Sequence, residues 1–113
     1  MPLSDSTRDK LKRISTATVA TRLFKRGLRS QMIQGALPLH RVAESMVGEA
    51  VTLRYIPARE DLNTMDVFRD PSHPQRRAVE SCPPRRVLVF DSRKDARAAS
   101  AGAILIGRLK ARG

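Results

Sequence analysis

The stretch MVGEAVTLRYIP, from Met46 to Pro57, places Val47, Glu49, Val51, Leu53 and Tyr55 on one side and Gly48, Ala50, Thr52 and Arg54 on the other. A period of two is that of a β-strand, and Pro57 ends it. A second segment, RRVLVFDS, carries the compact apolar run Val87–Phe90 of β-forming residues. It predicts a strand covered on both faces. Helical patterns lie on either side of both segments, so the chain reads as an α/β domain.

Before the first strand, SDSTRDKLKRI offers Ser4 or Ser6 as an N-cap, with Leu11 and Ile14 three apart on one face. STATVATRLFKRG follows, with Val19 and Leu23 four apart, Lys25 and Arg26 near the end, and Gly27 at the stop. Two short helices or one bent helix are expected. Two basic helices before a glycine also suggest a helix-turn-helix, but the middle carries no good turn and no third helix completes the core. Between the strands, residues 58–74 are polar and hold two prolines, which predicts a long irregular excursion. HPQRRAVESC then predicts a short helix with Pro74 in its first turn.

A length of 113 residues with 41% hydrophobic content allows one modest core, hence a single domain over residues 1–113. The lone Cys82 cannot form an internal disulfide, and no long apolar run appears. Both features point to a cytoplasmic protein without a membrane span. The net charge of +11 favours a polyanionic or acidic partner. Its arginines are nevertheless spread from Arg8 to Arg112, and Phe24, Tyr55, Phe68 and Phe90 are the whole aromatic set. That pattern lacks the stacking positions of a specific nucleic-acid reader.

Two places could carry chemistry. Asp91 stands at the C-terminal end of the second strand, where open α/β sheets gather ligands, although an aspartate there also caps turns. The segment DARAASAGAILIGRLKARG reads as an alanine-rich helix with Ile104, Leu105 and Leu109 as its buried stripe, interrupted by Gly102. A glycine in that position marks either a tight packing contact or a helix N-terminus whose amides face a ligand. His40 and His73 read as surface loop residues without a ligand-spaced partner, and Cys82 as structural or incidental. Phosphate loops, paired cysteines, His-Glu-x-x-His and Gly-x-Ser-x-Gly are all missing from the sequence.

Taken in order, ISTATVATRLFKRG, MVGEAVTLRYIPARED and VLVFDSRKDARAASAGAILIGRLKARG resemble the regulator of ribonuclease activity A (RraA) family. That family includes 4-hydroxy-4-methyl-2-oxoglutarate aldolases and oxaloacetate decarboxylases. The resemblance implies a swivelling β/β/α-type domain, assembled as a homotrimer or hexamer, and a Mg²⁺- or Mn²⁺-dependent lyase acting on pyruvate-forming 2-oxo acids. It also implies that Gly102, Ala103, Ile104 and Leu105 form the loop that holds the pyruvate-like part of the substrate. A non-catalytic regulator, binding a ribonuclease or another acidic partner, is the alternative within the same family.

The sequence departs from the family pattern twice. Ala103 stands where the aldolase pattern carries an acidic residue. The Arg-Asp pair expected downstream, whose arginine binds substrate and whose aspartate helps position the metal, would fall past Gly113. The chain is therefore expected to represent the N-terminal part of such a domain, with little or no lyase activity as it stands.

Overall fold

A computed structural model describes residues 2–113, which fall into two compact units, Met1–Gly48 and Glu49–Gly113. In the first unit, two serines set where the helices begin. Ser4 Oγ accepts from the Thr7 amide at 3.2 Å and starts α1 (Asp5–Lys12). Ser15 Oγ accepts from the Thr18 amide at 3.2 Å and starts α2 (Thr16–Lys25). Each cap satisfies an N–H that the helix itself leaves without an acceptor. The chain thus forms two helices and not one bent one. Gly27, with φ of +83°, ends α2: its amide returns to Phe24 O at 2.9 Å and that of Leu28 to Leu23 O at 3.0 Å. That is a Schellman closure, which needs the left-handed backbone glycine adopts at least cost. Arg8, buried on α1, donates to the Val47 carbonyl at 2.9 Å, and Lys12 pairs with Glu44 at 3.4 Å. Ile14, expected on the apolar face with Leu11, lies beyond α1 and is exposed.

The second unit is built on β1 (Ala50–Arg54) and β2 (Val87–Asp91), paired in parallel from Ala50↔Val87 to Arg54↔Asp91. Val51, Leu53 and Tyr55 are half-buried while Ala50, Thr52 and Arg54 are exposed, as the alternation predicts. Parallel pairing requires a crossover. It runs through α3 (Met65–Arg69) and α4 (Pro74–Ser81). The excursion expected to be irregular thus contains a helical turn, with Asp66 and Arg69 paired across it at 3.1 Å. Pro74 occupies the first turn of α4, as expected, since its missing N–H would be unbonded there anyway.

The apolar residues of β2 are only partly covered, where the sequence predicts cover on both faces. Tyr55 stacks on Phe90 with ring centroids 5.9 Å apart and continues the pairing through its amide to Asp91 O at 2.9 Å. The final helix, α5 (Ala103–Ala111), packs against α4. Val79 and Cys82, at the end of α4, are the most deeply buried apolar side chains, which gives Cys82 a structural place. Arg108 grips Glu80 across the two helices with bonds of 2.8 and 2.9 Å. Among the described residues, no helix is long and apolar enough to cross a membrane.

Candidate functional site

Alanine content alone would run the last helix back through Ala98, Ala99 and Ala101, but helix begins only at Ala103. The cause is the carbonyl of Ser100. In a longer helix it would accept from the backbone four residues on. Here it accepts from Tyr55 Oη at 2.6 Å and from Gln75 Nε2 at 2.6 Å, and Gln75 Nε2 also donates to Tyr55 Oη at 3.0 Å. Two side chains, one from the residue after β1 and one from α4, therefore hold the chain out of the helical ladder just before Gly102. Burial pushes the Tyr55 hydroxyl up from its ordinary pKa, with the Gln75 bond acting the other way, so the phenol keeps the proton it donates.

Gly102 is then the N-cap of α5, extended at φ −103° and ψ 173°, with no side chain to cap the helix. The first helical bond runs from the Ile106 amide to Gly102 O at 3.1 Å. The amides of Ala103, Ile104 and Leu105 thus have no acceptor among the described residues and carry the positive end of the helix dipole. A Cβ built on Gly102 meets nothing within 4 Å, which removes the tight-packing reading of this glycine. Ile104, expected in the buried stripe, is 89% exposed. It points outward because the stripe begins one residue later, and Leu105 and Leu109 are half-buried as expected.

The segment leading from β2 to Gly102 is fixed by two carboxylates. Asp91 accepts from the Arg93 amide at 3.0 Å through Oδ1 and from Arg54 Nε at 3.0 Å through Oδ2. The Arg93 amide first, and Arg54 second, hold its carboxyl below the usual range. Asp95 takes the Arg97 guanidinium with two bonds of 2.9 Å, the Arg97 amide at 3.1 Å, and the Ala58 amide at 3.0 Å. Arg97 foremost, then these amides, hold Asp95 well below the ordinary carboxylate range. Asp95 so ties this segment to the one that follows β1. Between the two aspartates, Arg93 and Lys94 both adopt left-handed backbone, at φ of 57° and 62°. Asp91, a sequence candidate, is thus occupied with the turn and with Arg54, while Gly102–Leu105 form a separate, open helix end.

Behind the segment lies a cavity of about 140 Å³ whose lining includes Tyr55, Phe68, His73, Gln75, Asp95 and Ser100. His73 tilts against Phe68 with ring centroids 5.2 Å apart, and its Nδ1 is sealed from solvent with no hydrogen-bond partner among the described residues. It is not the surface histidine its loop position suggests, because Phe68 on α3 covers it. His40 is exposed, as expected. No three His, Cys, Asp or Glu side chains converge as a metal-holding set among the described residues.

Sequence reading missed Tyr55 and Gln75 as the residues that position the helix end. Tyr55 was legible as a strand residue on the covered face, and a buried tyrosine needs a partner for its hydroxyl. No local signal marks Gln75. A parallel strand pair with a helical crossover, followed by a helix whose N-terminal amides stand open, defines an α/β unit suited to a small anion. A family model described as RraA-like (Aldolase/RraA) matches residues 16–113, and the chain belongs to that family. No curated protein and no solved structure matches the chain.

Proposed function

We propose that the chain holds the carboxylate of a pyruvate-forming 2-oxo acid on the amides of Ala103, Ile104 and Leu105, the substrate-holding part of a lyase of the aldolase or decarboxylase kind. The observation that carries this reading is the open N-terminus of α5 behind an uncapped Gly102. Three convergent N–H groups and the helix dipole suit a carboxylate, and nothing near Gly102 obstructs its approach. Tyr55 and Gln75 contribute by fixing Ser100, two residues before the amides begin.

Cleaving a carbon–carbon bond beside a ketoacid leaves an enolate, and a divalent cation at the keto oxygen supplies the Lewis acid in such lyases. The residues present do not fit such an ion. No donor set converges among the described residues, Ala103 replaces the acid, and Asp91 and Asp95 are engaged by Arg54 and Arg97. The function assigned to these residues is therefore binding and orientation. The same observations favour, as a second reading, a non-catalytic regulator of the family's other kind.

Ala103→Pro tests the assignment. Proline suits the first helical position, and Gly102 already has the extended backbone that must precede it, so α5 should form normally. The substitution deletes one of the three amides. Titration with pyruvate and with oxalate should show affinity lower by about tenfold, as expected for losing a hydrogen bond to a charged group. Unchanged affinity with an unchanged melting temperature would place the carboxylate elsewhere.

A further inference from the structure

The cavity beside Tyr55 and Ser100 is lined by the Glu49–Gly113 unit alone, and its volume of about 140 Å³ suits a single six-membered ring. An apolar cavity of about 150 Å³ takes benzene. Phe68, 41% exposed, and the His73 ring tilted against it supply an aromatic wall, which favours a planar occupant. His73 Nδ1 is shut away from solvent and adds no bond for an occupant. The other polar groups of the lining divide into engaged and free. Gln75 gives its amide hydrogens to Tyr55 Oη and Ser100 O, and Tyr55 gives its hydroxyl hydrogen to Ser100 O. Gln75 Oε1 is left as an acceptor with no partner among the described residues. Asn63 accepts from the Arg59 amide through Oδ1 at 2.8 Å, and among the described residues its Nδ2 and the Ser92 hydroxyl are both free. Asp95, the one carboxylate in the lining, has both oxygens on Arg97 and one on the Ala58 amide as well. No lysine or arginine of the described residues lines the cavity.

We infer that this cavity binds a small neutral planar ring with a hydrogen-bond donor and acceptor on its edge, of the cyclic amide or cyclic ureide class. Neutrality follows from the lining. An anionic ring would meet Asp95 with no cation in the lining to offset it, and a cationic ring would find Asp95 already paired with Arg97. The polar edge follows from Gln75 Oε1, Asn63 Nδ2 and Ser92 Oγ, an acceptor, a donor and a hydroxyl that an apolar ring would cover without bonding. The inference does not depend on the carboxylate site of α5, since Ala103, Ile104 and Leu105 do not line this cavity.

The test titrates the whole chain with uracil and follows the ligand by NMR. Uracil should bind saturably and at least about tenfold more tightly than toluene, which lacks the polar edge, or benzoate, which adds a charge. Asn63→Asp keeps the bond to the Arg59 amide and replaces the free donor with an acceptor. It should weaken uracil by about tenfold and leave toluene unchanged, and Ser92→Ala should act in the same direction. Ala98→Leu, which fills space in the lining without touching a polar group, should abolish binding of both rings while the melting temperature holds. Saturating oxalate should leave the uracil titration as it was. The inference is overturned by the lack of saturable uracil binding, by toluene or benzoate binding as well as uracil, or by indifference of uracil to both polar variants. Uracil binding that survives Ala98→Leu, or displacement by oxalate, overturns it too. A chain that takes uracil but not oxalate supports the cavity and counts against the α5 reading alone.

Discussion

Replacing Arg93 and Lys94 together by glycine should make this protein more stable, although arginine and lysine are ordinarily the safer residues. Both hold left-handed backbone, φ 57° and 62°, and among the described residues neither side chain makes a hydrogen bond or an ion pair, the Arg93 charge acting on Asp91 only through space. For a residue with a Cβ that conformation costs about 1–2 kcal/mol through the close approach of Cβ to the following carbonyl oxygen. Glycine removes the clash but adds freedom to the unfolded chain, which takes back about 0.4–1 kcal/mol. The net gain is roughly 0.5–1 kcal/mol at each position, so about 1–2 kcal/mol for the pair. In a domain of this size that raises the melting temperature by roughly 5–10 °C. The Arg93 amide, which bonds Asp91, survives in the variant.

Thermal melts followed by circular dichroism would measure the shift, with Arg77→Gly as an internal reference. Arg77 lies within α4, where glycine should cost about 1 kcal/mol relative to a good helix former. The two variants should therefore move in opposite directions. A double variant melting at or below the parent would refute the strain reasoning.

Tyr55→Phe removes one of the two donors that hold the Ser100 carbonyl, and should cost about 1 kcal/mol of stability. It should also weaken oxalate binding although Tyr55 does not touch the ligand, and an unchanged titration would show that Gln75 alone sets the helix start. On acidification, Asp95, Asp91 and Glu80 all have folded-state pKa values depressed below their unfolded ones, by Arg97, the Arg93 amide and Arg108 foremost. Their contribution is present above the unfolded carboxylate pKa of about 4 and is lost as pH falls through the folded values. Urea melts should show stability falling below about pH 4 in the parent and a shallower fall in Asp95→Asn; parallel slopes would count against Asp95 as the main acid-labile tie.

Much of the fold was legible because its signals are local. Alternation from Val47 to Tyr55 reports one covered face directly, and Ser15, Gly27 and Pro74 each act on backbone groups within a turn of themselves. The start of α5 was not legible from helix propensity. The alanines at 98, 99 and 101 favour helix, and the override comes from Tyr55 and Gln75, 45 and 25 residues away from Ser100. Arg93 and Lys94 escape notice for a related reason, since left-handed backbone is read from glycine or asparagine and here falls on long cationic side chains. Gly102 itself was legible as a special position in the last helix, and the structure places it at the N-cap of α5 with nothing packed against it.

The division between holding a substrate and transforming it follows from where the charges lie. A carboxylate on the amides of Ala103, Ile104 and Leu105 keeps its charge from ground state to transition state, so these contacts stabilise both nearly equally. Such uniform binding lowers the Michaelis constant and leaves the turnover number where it was. Acceleration requires a positive group at the keto oxygen, where negative charge develops as the enolate forms. Two of the cations at this segment are engaged, Arg54 with Asp91 and Arg97 with Asp95, both in direct ion pairs. Freeing one would not create the missing electrophile, because each aspartate would lose the partner that holds the segment in place. On the proposed reading the open end of α5 receives a carboxylate, and any lyase turnover measured with it must draw its keto-oxygen charge from a group that these ion pairs do not supply.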